Sequence, residues 1–322
     1  MQRSNPAPAG AGPLIVVMGP TASGKSQLAL DLARARDGVV INADAMQVYA
    51  DLRIVTARPS EADEAAAPHR LYGVRPAEAV WSAADWAAAA RAEVAAAHRA
   101  GRLPLITGGT GLYIRALVEG LSDLPAIPQD LRDEVRALGL TGGVPALKAA
   151  LAPLDPKAAQ RLADPQRLAR ALEVVRATGR SLADWQRAHP PAGGHAGPVF
   201  TIALMPDAGT RDRAIAGRFV KMLEMGAADE VAAFLARGLD PQAVPLMKAV
   251  GVPEIGAWLA GEVSRDEMLE RGRIATRQYA KRQMTWIRNQ AHINLGAHEQ
   301  YSECLASRIF LEIDRFLLTL GH

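Results

Sequence analysis

Cysteine is almost missing from this chain. Cys304 is the single one in 322 residues, which excludes an internal disulfide and a cysteine-built zinc site and points to a reducing compartment. His69, His98, His189 and His195 lack metal-ligand spacing, and no two carboxylates pair in the manner of a glycosidase. No apolar run is long enough to span a bilayer. The first residues, Met1 to Gly12, hold Pro, Ala and Gly with one Arg and no apolar stretch; they read as a disordered leader over 1–12 and not as a signal peptide. The expectation is a soluble, cytoplasmic protein without a membrane partner. Charge of one sign is not in large excess either: the net charge is +3. The pI of about 9.2 gives only a slight preference for a polyanionic partner.

What is present is ample for a core. With 49% apolar and 22% charged residues, the chain can bury one large domain and a smaller one. Leu14 to Met18 is a short apolar run closed by Gly19-Pro20, hence a buried strand. A helix with Leu28, Leu30 and Leu32 follows as far as Arg36, and Val39-Val40-Ile41 makes a second strand ending at Asn42 and Asp44. Ser82-Ala-Ala-Asp85 has the form of a capping box opening an alanine-rich helix, and Leu103 to Thr107 is a third strand, broken by Gly108-Gly109. The alternation of strand and helix predicts an α/β fold, a P-loop NTPase-like parallel sheet flanked by helices. Leu121 to Ala196 has helical periodicity with no convincing strand, which predicts a helical insertion over 121–198 between two parts of the core, 13–120 and 199–322. Val199 to Met205 returns to the sheet, one long amphipathic helix is expected from Arg211 to about Arg237, another over Arg265 to Arg288, and a closing helix around Ile309 to Leu317.

Chemistry enters at Gly19-Pro20-Thr21-Ala22-Ser23-Gly24-Lys25-Ser26. Two glycines four residues apart, then Lys and Ser, between a predicted strand and helix, form a phosphate-binding loop. Glycine lets backbone N–H groups converge on phosphate oxygens, the helix N-terminus adds partial positive charge, Lys25 neutralises, and Ser26 can hold Mg²⁺. P-loop hydrolases place an Asp after a second apolar strand, but here Leu103 to Thr107 runs into Gly108-Gly109-Thr110 without an acid. The acid next to the loop is Asp44, and on spacing alone it reads equally as a base toward a bound acceptor or as the cap of a turn.

In this order, the chain resembles the tRNA dimethylallyltransferases, also called isopentenyltransferases. The resemblance rests on the phosphate loop, Asn42-Ala-Asp44 with Met46-Gln47-Val48-Tyr49, Gly108-Gly-Thr-Gly-Leu-Tyr113, Asp164-Pro-Gln-Arg-Leu-Ala-Arg-Ala-Leu-Glu173 and Ala275-Thr-Arg-Gln-Tyr-Ala-Lys-Arg-Gln-Met-Thr-Trp286, spread over roughly 14–290. It implies transfer of a dimethylallyl group from dimethylallyl diphosphate to N6 of the adenosine 3′ to the anticodon, with Asp44 as base, Thr110 beside the target nucleotide and Arg218 on the diphosphate. It also implies contacts from Asp44, Ala45, Met46, Gln47, Thr110, Arg132, Gln166, Arg167, Leu168, Ala169, Arg170 and Lys248 to a tRNA anticodon stem-loop, Mg²⁺ as cofactor, and a monomeric enzyme. Arg271 to Gln290 carries six basic residues and no acid. Such a run is ordinarily a solvated helix face, and beside the family motifs it points to RNA. The chain departs from the family at Ala45, where Ser is usual, at Lys248-Ala-Val-Gly-Val-Pro253, where Arg and Gly-Tyr are common, and at Ile54-Val-Thr-Ala-Arg58, where Gly and Lys are frequent. The competing reading is a P-loop transferase or kinase acting on a free nucleotide such as AMP; a third is an RNA-binding protein with an inactive nucleotide fold.

Overall fold

A computed structural model describes residues 11–321; residues 1–10 of the expected leader lie outside them. The chain forms two compact units, one from the residues up to Val118 together with those from His195 onward, the other Glu119–Gly194.

In the larger unit the order is β1 (Leu14–Met18), α1 (Lys25–Ala35), β2 (Gly38–Asn42), α2 (Glu61–Ala66), β3 (His69–Arg70), α3 (Ala83–Arg99), β4 (Leu103–Gly108) and α4 (Gly111–Val118). The smaller unit holds β5 (Gly120–Leu121), α5 (Gln129–Leu151), α6 (Pro156–Arg161), α7 (Pro165–Thr178), α8 (Leu182–Ala188) and β6 (Ala192–Gly193). The larger unit resumes with β7 (Val199–Leu204), α9 (Ala208–Glu224), α10 (Ala227–Leu235), a 3₁₀ turn at Pro245–Lys248, α11 (Val252–Leu259), α12 (Arg265–Gln290), β8 (Leu295–Ala297) and α13 (Glu303–Thr319).

Six strands join in the order β3-β2-β4-β1-β7-β8, and every neighbouring pair is parallel. A parallel sheet covered by helices on both faces needs strands apolar throughout, which is why all five residues of Leu14–Met18 are buried. The central position of β1 places the turn after it, Gly19 to Gly24, at the carboxyl edge of the sheet, where ligands of such folds bind.

Local chemistry sets the elements that frame this edge. Ser82 and Asp85 form the reciprocal capping box that opens α3, a device worth about 1 kcal/mol. On that helix Trp86 is fully buried, stacks on Tyr113 of α4 at 4.6 Å, and donates Nε1–H to the carbonyl of Asn42 at 2.9 Å. The end of β2 is thereby pinned from two helices.

Two expectations fail. The single helix expected from Arg211 to Arg237 is two, because Gly226 takes φ 97° between α9 and α10; the turn re-aims α10 so that Glu230 reaches the backbone N–H groups of Arg53, Ile54 and Val55. The stretch expected to lack strands contains the two-residue antiparallel pair β5 and β6, too short to show a period in sequence. Otherwise the smaller unit is helical around its own core, in which Val135, Leu147, Leu151, Leu168 and Leu172 are buried.

Candidate active site

The carboxyl edge of the sheet opens into a cavity of about 510 Å³ in the larger unit. Its floor is the phosphate loop, with Thr21 to Gln27 on the lining. Only glycine fits at position 19, where a Cβ would stand 2.5 Å from Ser23 Oγ and 2.8 Å from the Leu204 carbonyl. At position 24 the backbone has φ 86°, the left-handed region that L side chains avoid. Ser23 Oγ is buried without a hydrogen-bond partner, the signature of a loop that expects an external acceptor or donor. Lys25 Nζ donates to the Pro20 carbonyl at 3.3 Å. Burial pulls its pKa down to about 8, with Asp44 opposing the shift and Arg218 adding to it. Desolvation likewise lowers the Arg218 pKa, against the pull of Asp44. Two cations of reduced hydration beside open loop amides suit a polyanion.

Asp44 faces this floor across the cavity, and its turn is tightly specified. Asn42 is fully buried; its Oδ1 accepts the Asp44 N–H at 2.8 Å while Nδ2 donates to the carbonyls of Asp44 and Leu71, each at 3.0 Å. Asp44 Oδ1 then accepts the Met46 N–H at 3.0 Å, so the carboxylate does cap its own turn; Oδ2 takes no part in that bond. Thr110 accepts the Ala45 N–H on Oγ1 at 2.9 Å and donates its own N–H to the Ala43 carbonyl at 3.1 Å. The close approach demands Gly108, where a Cβ would lie 2.2 Å from the Ala43 backbone. The negative charge of Asp44 is the largest cause of a raised pKa at Tyr279, with burial adding to it.

The same cavity has apolar lining from Ile215, Phe219 and Met222 on α9 and from Val55. Gln47 closes another side, its Nε2 donating to the carbonyls of Thr56 and Ala57, both at 2.9 Å. Arg218, Lys248 and Arg282 supply cationic lining, and the Arg282 guanidinium lies 5.5 Å from the Tyr279 ring centre.

The structure thus brings Thr21 to Ser26, Asp44, Met46, Gln47, Arg218 and Lys248 onto one cavity, with Ala45 and Thr110 directly behind Asp44. Arg132, Gln166, Arg167, Leu168, Ala169 and Arg170 belong to the smaller unit, on α5 and α7. There Arg132, Gln166 and Arg167 are exposed, Arg170 pairs with Glu173 at 2.9 Å, and the Leu168 side chain is core. On the basic helix α12, Arg271, Arg273 and Arg277 are paired with Glu267, Glu270 and Asp212. The sequence reading passed over Tyr279 and Gln283. The signal was available: both are polar positions four apart, on or beside the buried stripe of α12 that includes Thr276 and Ala280.

As to cofactors, Ser26 and Asp44 offer hard oxygen donors on the cavity wall, and among the described residues no group of three or more His, Cys, Asp or Glu could hold a metal ion. That donor set fits a cation ligated mainly by substrate phosphates and water, as Mg²⁺ is.

Residues 47–290 match the family described as IPP transferase. A tRNA dimethylallyltransferase of Rhodospirillum rubrum is 50% identical over 310 residues, covering 96% of this chain and 95% of that one. Among solved structures, the full-length tRNA isopentenylpyrophosphate transferase of Bacillus halodurans superposes with a TM-score of 0.67 at 30% identity, covering 96% of both chains. A eukaryotic dimethylallyltransferase acting on tRNA shares the fold, with a TM-score of 0.79 at 23% identity, covering 96% of this chain and 80% of that one. No described helix is long and apolar enough to cross a membrane. A P-loop sheet whose cavity joins a phosphate floor to one carboxylate, and near-full-length identity of half to a named relative, place the chain in the IPP transferase family, among the tRNA dimethylallyltransferases.

Proposed function

We propose that this chain transfers a dimethylallyl group from dimethylallyl diphosphate to N6 of the adenosine 3′ to the anticodon of a tRNA, releasing diphosphate. The observation that carries the reading is that the phosphate loop, Asp44 and the apolar side chains of Ile215, Phe219 and Met222 line one cavity.

In that arrangement the diphosphate lies on the loop amides with Lys25 and Arg218 as counter-charges, and the allylic chain lies along Ile215, Phe219 and Met222. The adenine is everted from the anticodon loop, an already single-stranded base that costs less to extract than a paired one. The N6 lone pair forms the new bond to C1 of the donor as the C1–O bond breaks, and that electron pair leaves on diphosphate. The amine is a poor nucleophile because its lone pair is delocalised into the ring; Asp44 accepts the N6 proton as the bond forms. Developing charge on the leaving oxygen meets Lys25, Arg218 and the loop N–H groups, which are already oriented. Thr110 holds the Ala45 N–H and with it the turn that aims Asp44. Mg²⁺, held by Ser26 and the diphosphate, would neutralise part of the leaving group's charge. Ala45, Met46, Gln47 and Lys248 contact the RNA around the everted base, and Arg132, Gln166, Arg167, Leu168, Ala169 and Arg170 contact the stem-loop, Leu168 through its backbone. The same proposal includes a monomeric enzyme working in the cytoplasm, a setting that accords with its single, exposed cysteine.

The test is incubation of labelled dimethylallyl diphosphate with an anticodon stem-loop RNA and, separately, with AMP. Label in N6-isopentenyladenosine of the RNA alone is the expected result; label on AMP alone favours a free-nucleotide transferase, and label on neither overturns the proposal.

A further inference from the structure

We infer that Gln283 is a positioning residue that braces the donor side of the cavity to the acceptor side. The inference rests on the proposed function, since it concerns how two halves of that site are held in register.

Gln283 sits on α12, 5% exposed, and its amide is used at both ends. Oε1 accepts the Thr21 N–H of the phosphate loop at 2.8 Å. Nε2 donates to the carbonyl of Gly109 at 3.3 Å, in the turn between β4 and α4. The next residue in that turn is Thr110, which holds the Ala45 N–H beside Asp44. One side chain therefore ties the loop carrying Lys25 to the turn supporting Asp44, across 262 residues of sequence from the loop. Room for it is built in: a Cβ on Gly109 would stand 1.9 Å from Gln283 Nε2, so any side chain there would displace the amide from its place. Tyr279, one helical turn earlier on α12, lines the cavity.

The chemistry of the position is selective. A buried side chain that must accept from an N–H and donate to a C=O needs both a donor and an acceptor, and the glutamine amide carries the two on separate atoms without any change of protonation. An apolar isostere leaves the Thr21 N–H and the Gly109 carbonyl without partners. In the transfer reaction C1 of the donor and N6 of the acceptor must meet at near-contact distance and in line, and a misplacement of about 1 Å costs on the order of 100-fold in rate. Loosening the brace lets each substrate bind its own half while the reacting atoms lose alignment.

The experiment compares Gln283→Met and Gln283→Glu with the wild-type enzyme in steady-state transfer to an anticodon stem-loop, together with equilibrium binding of each substrate alone. For Gln283→Met, kcat is expected to fall about 10- to 100-fold, with the dissociation constants of donor and RNA each within about threefold of wild type. Gln283→Glu keeps the acceptor for Thr21 but donates to Gly109 only when protonated, so its kcat relative to wild type is expected to climb as pH is lowered from about 8 to about 6. Lys25, Asp44, Tyr279 and Arg282, the ionisable groups around this face of α12, are common to both proteins, and kcat is compared at saturating donor so that a shift of the Lys25 titration by the new carboxylate falls in KM. A Gln283→Met enzyme within twofold of wild-type kcat, a loss confined to donor or RNA affinity, or a Gln283→Glu ratio that stays flat with pH each overturn the inference while leaving the proposed function standing. If Gln283→Met does not fold, the Gln283→Glu series decides alone. A wild-type chain that transfers nothing overturns both.

Discussion

If Lys25 holds the donor diphosphate as proposed, its lowered pKa is expected to make donor binding sensitive to pH in a range where lysines normally do not titrate. With a value of about 8 in place of the ordinary 10.5, roughly nine in ten molecules carry the ammonium at pH 7 and roughly one in ten at pH 9. A charge-assisted hydrogen bond to phosphate is worth about 1.5–3 kcal/mol, so the neutral form binds diphosphate on the order of 10- to 100-fold more weakly. Donor kcat/KM is therefore expected to fall about five- to ninefold between pH 7 and pH 9, along a limb centred near 8. Equilibrium binding of dimethylallyl diphosphate without RNA must show the same limb, because the group titrates in the free protein. The limb has to move with the two charges that set it. Asp44 raises the Lys25 pKa and Arg218 lowers it, so Asp44→Asn shifts the limb to lower pH and Arg218→Gln shifts it higher. Stability runs the other way. The folded-state value lies below the unfolded one, so the cost of holding the charge is present in full below pH 8 and is relieved as pH rises from about 8 to about 10.5. Lys25→Met is accordingly expected to melt higher than wild type at pH 7, by at most about 3 kcal/mol and by less in proportion to solvent screening at the cavity mouth, while losing donor affinity. A donor-binding limb that stays above pH 9.5, or moves in the same direction in both variants, refutes the electrostatic reasoning.

At saturating donor, Asp44→Ala is expected to reduce the single-turnover transfer rate by about 10²- to 10⁴-fold; a wild-type rate removes Asp44 from the base role. Glu230→Ala strips acceptors from the N–H groups of Arg53, Ile54 and Val55 and is expected to lower unfolding free energy in urea by about 2–4 kcal/mol; a change under about 0.5 kcal/mol would show that water replaces the carboxylate there. Gly24→Ala places a Cβ 2.5 Å from Tyr301 Cβ at a backbone φ of 86°. Calorimetry should show donor binding lost in that variant and partly restored in the double variant with Tyr301→Ala, which relieves the clash but not the backbone strain of about 1–2 kcal/mol; equal losses in single and double variants would exclude the clash.

Much of this protein was legible without coordinates. A five-residue apolar run stopped by Gly19-Pro20 identified β1, and Ser82 with Asp85 identified the start of α3, because strand burial and helix capping depend on residues within a few positions of each other. The same holds for the phosphate loop, whose function is a matter of local backbone. Short strands carried no such mark: β3 spans two residues and β8 three, and each exists because a neighbouring strand offers it a parallel partner. The break at Gly226 was invisible for a related reason, since a lone glycine in a helical pattern is tolerated unless something distant rewards the turn, and here Glu230 finds the Arg53 to Val55 amides. Sequence motifs named Lys25, Asp44 and Arg218, yet their convergence on one cavity, together with the apolar side chains of Ile215, Phe219 and Met222, required the sheet to bring its carboxyl edge together. Gln283 makes the division clearest: as a letter in a basic helix it says nothing, and its meaning comes from a buried amide that needs two backbone partners, which only long-range folding delivers.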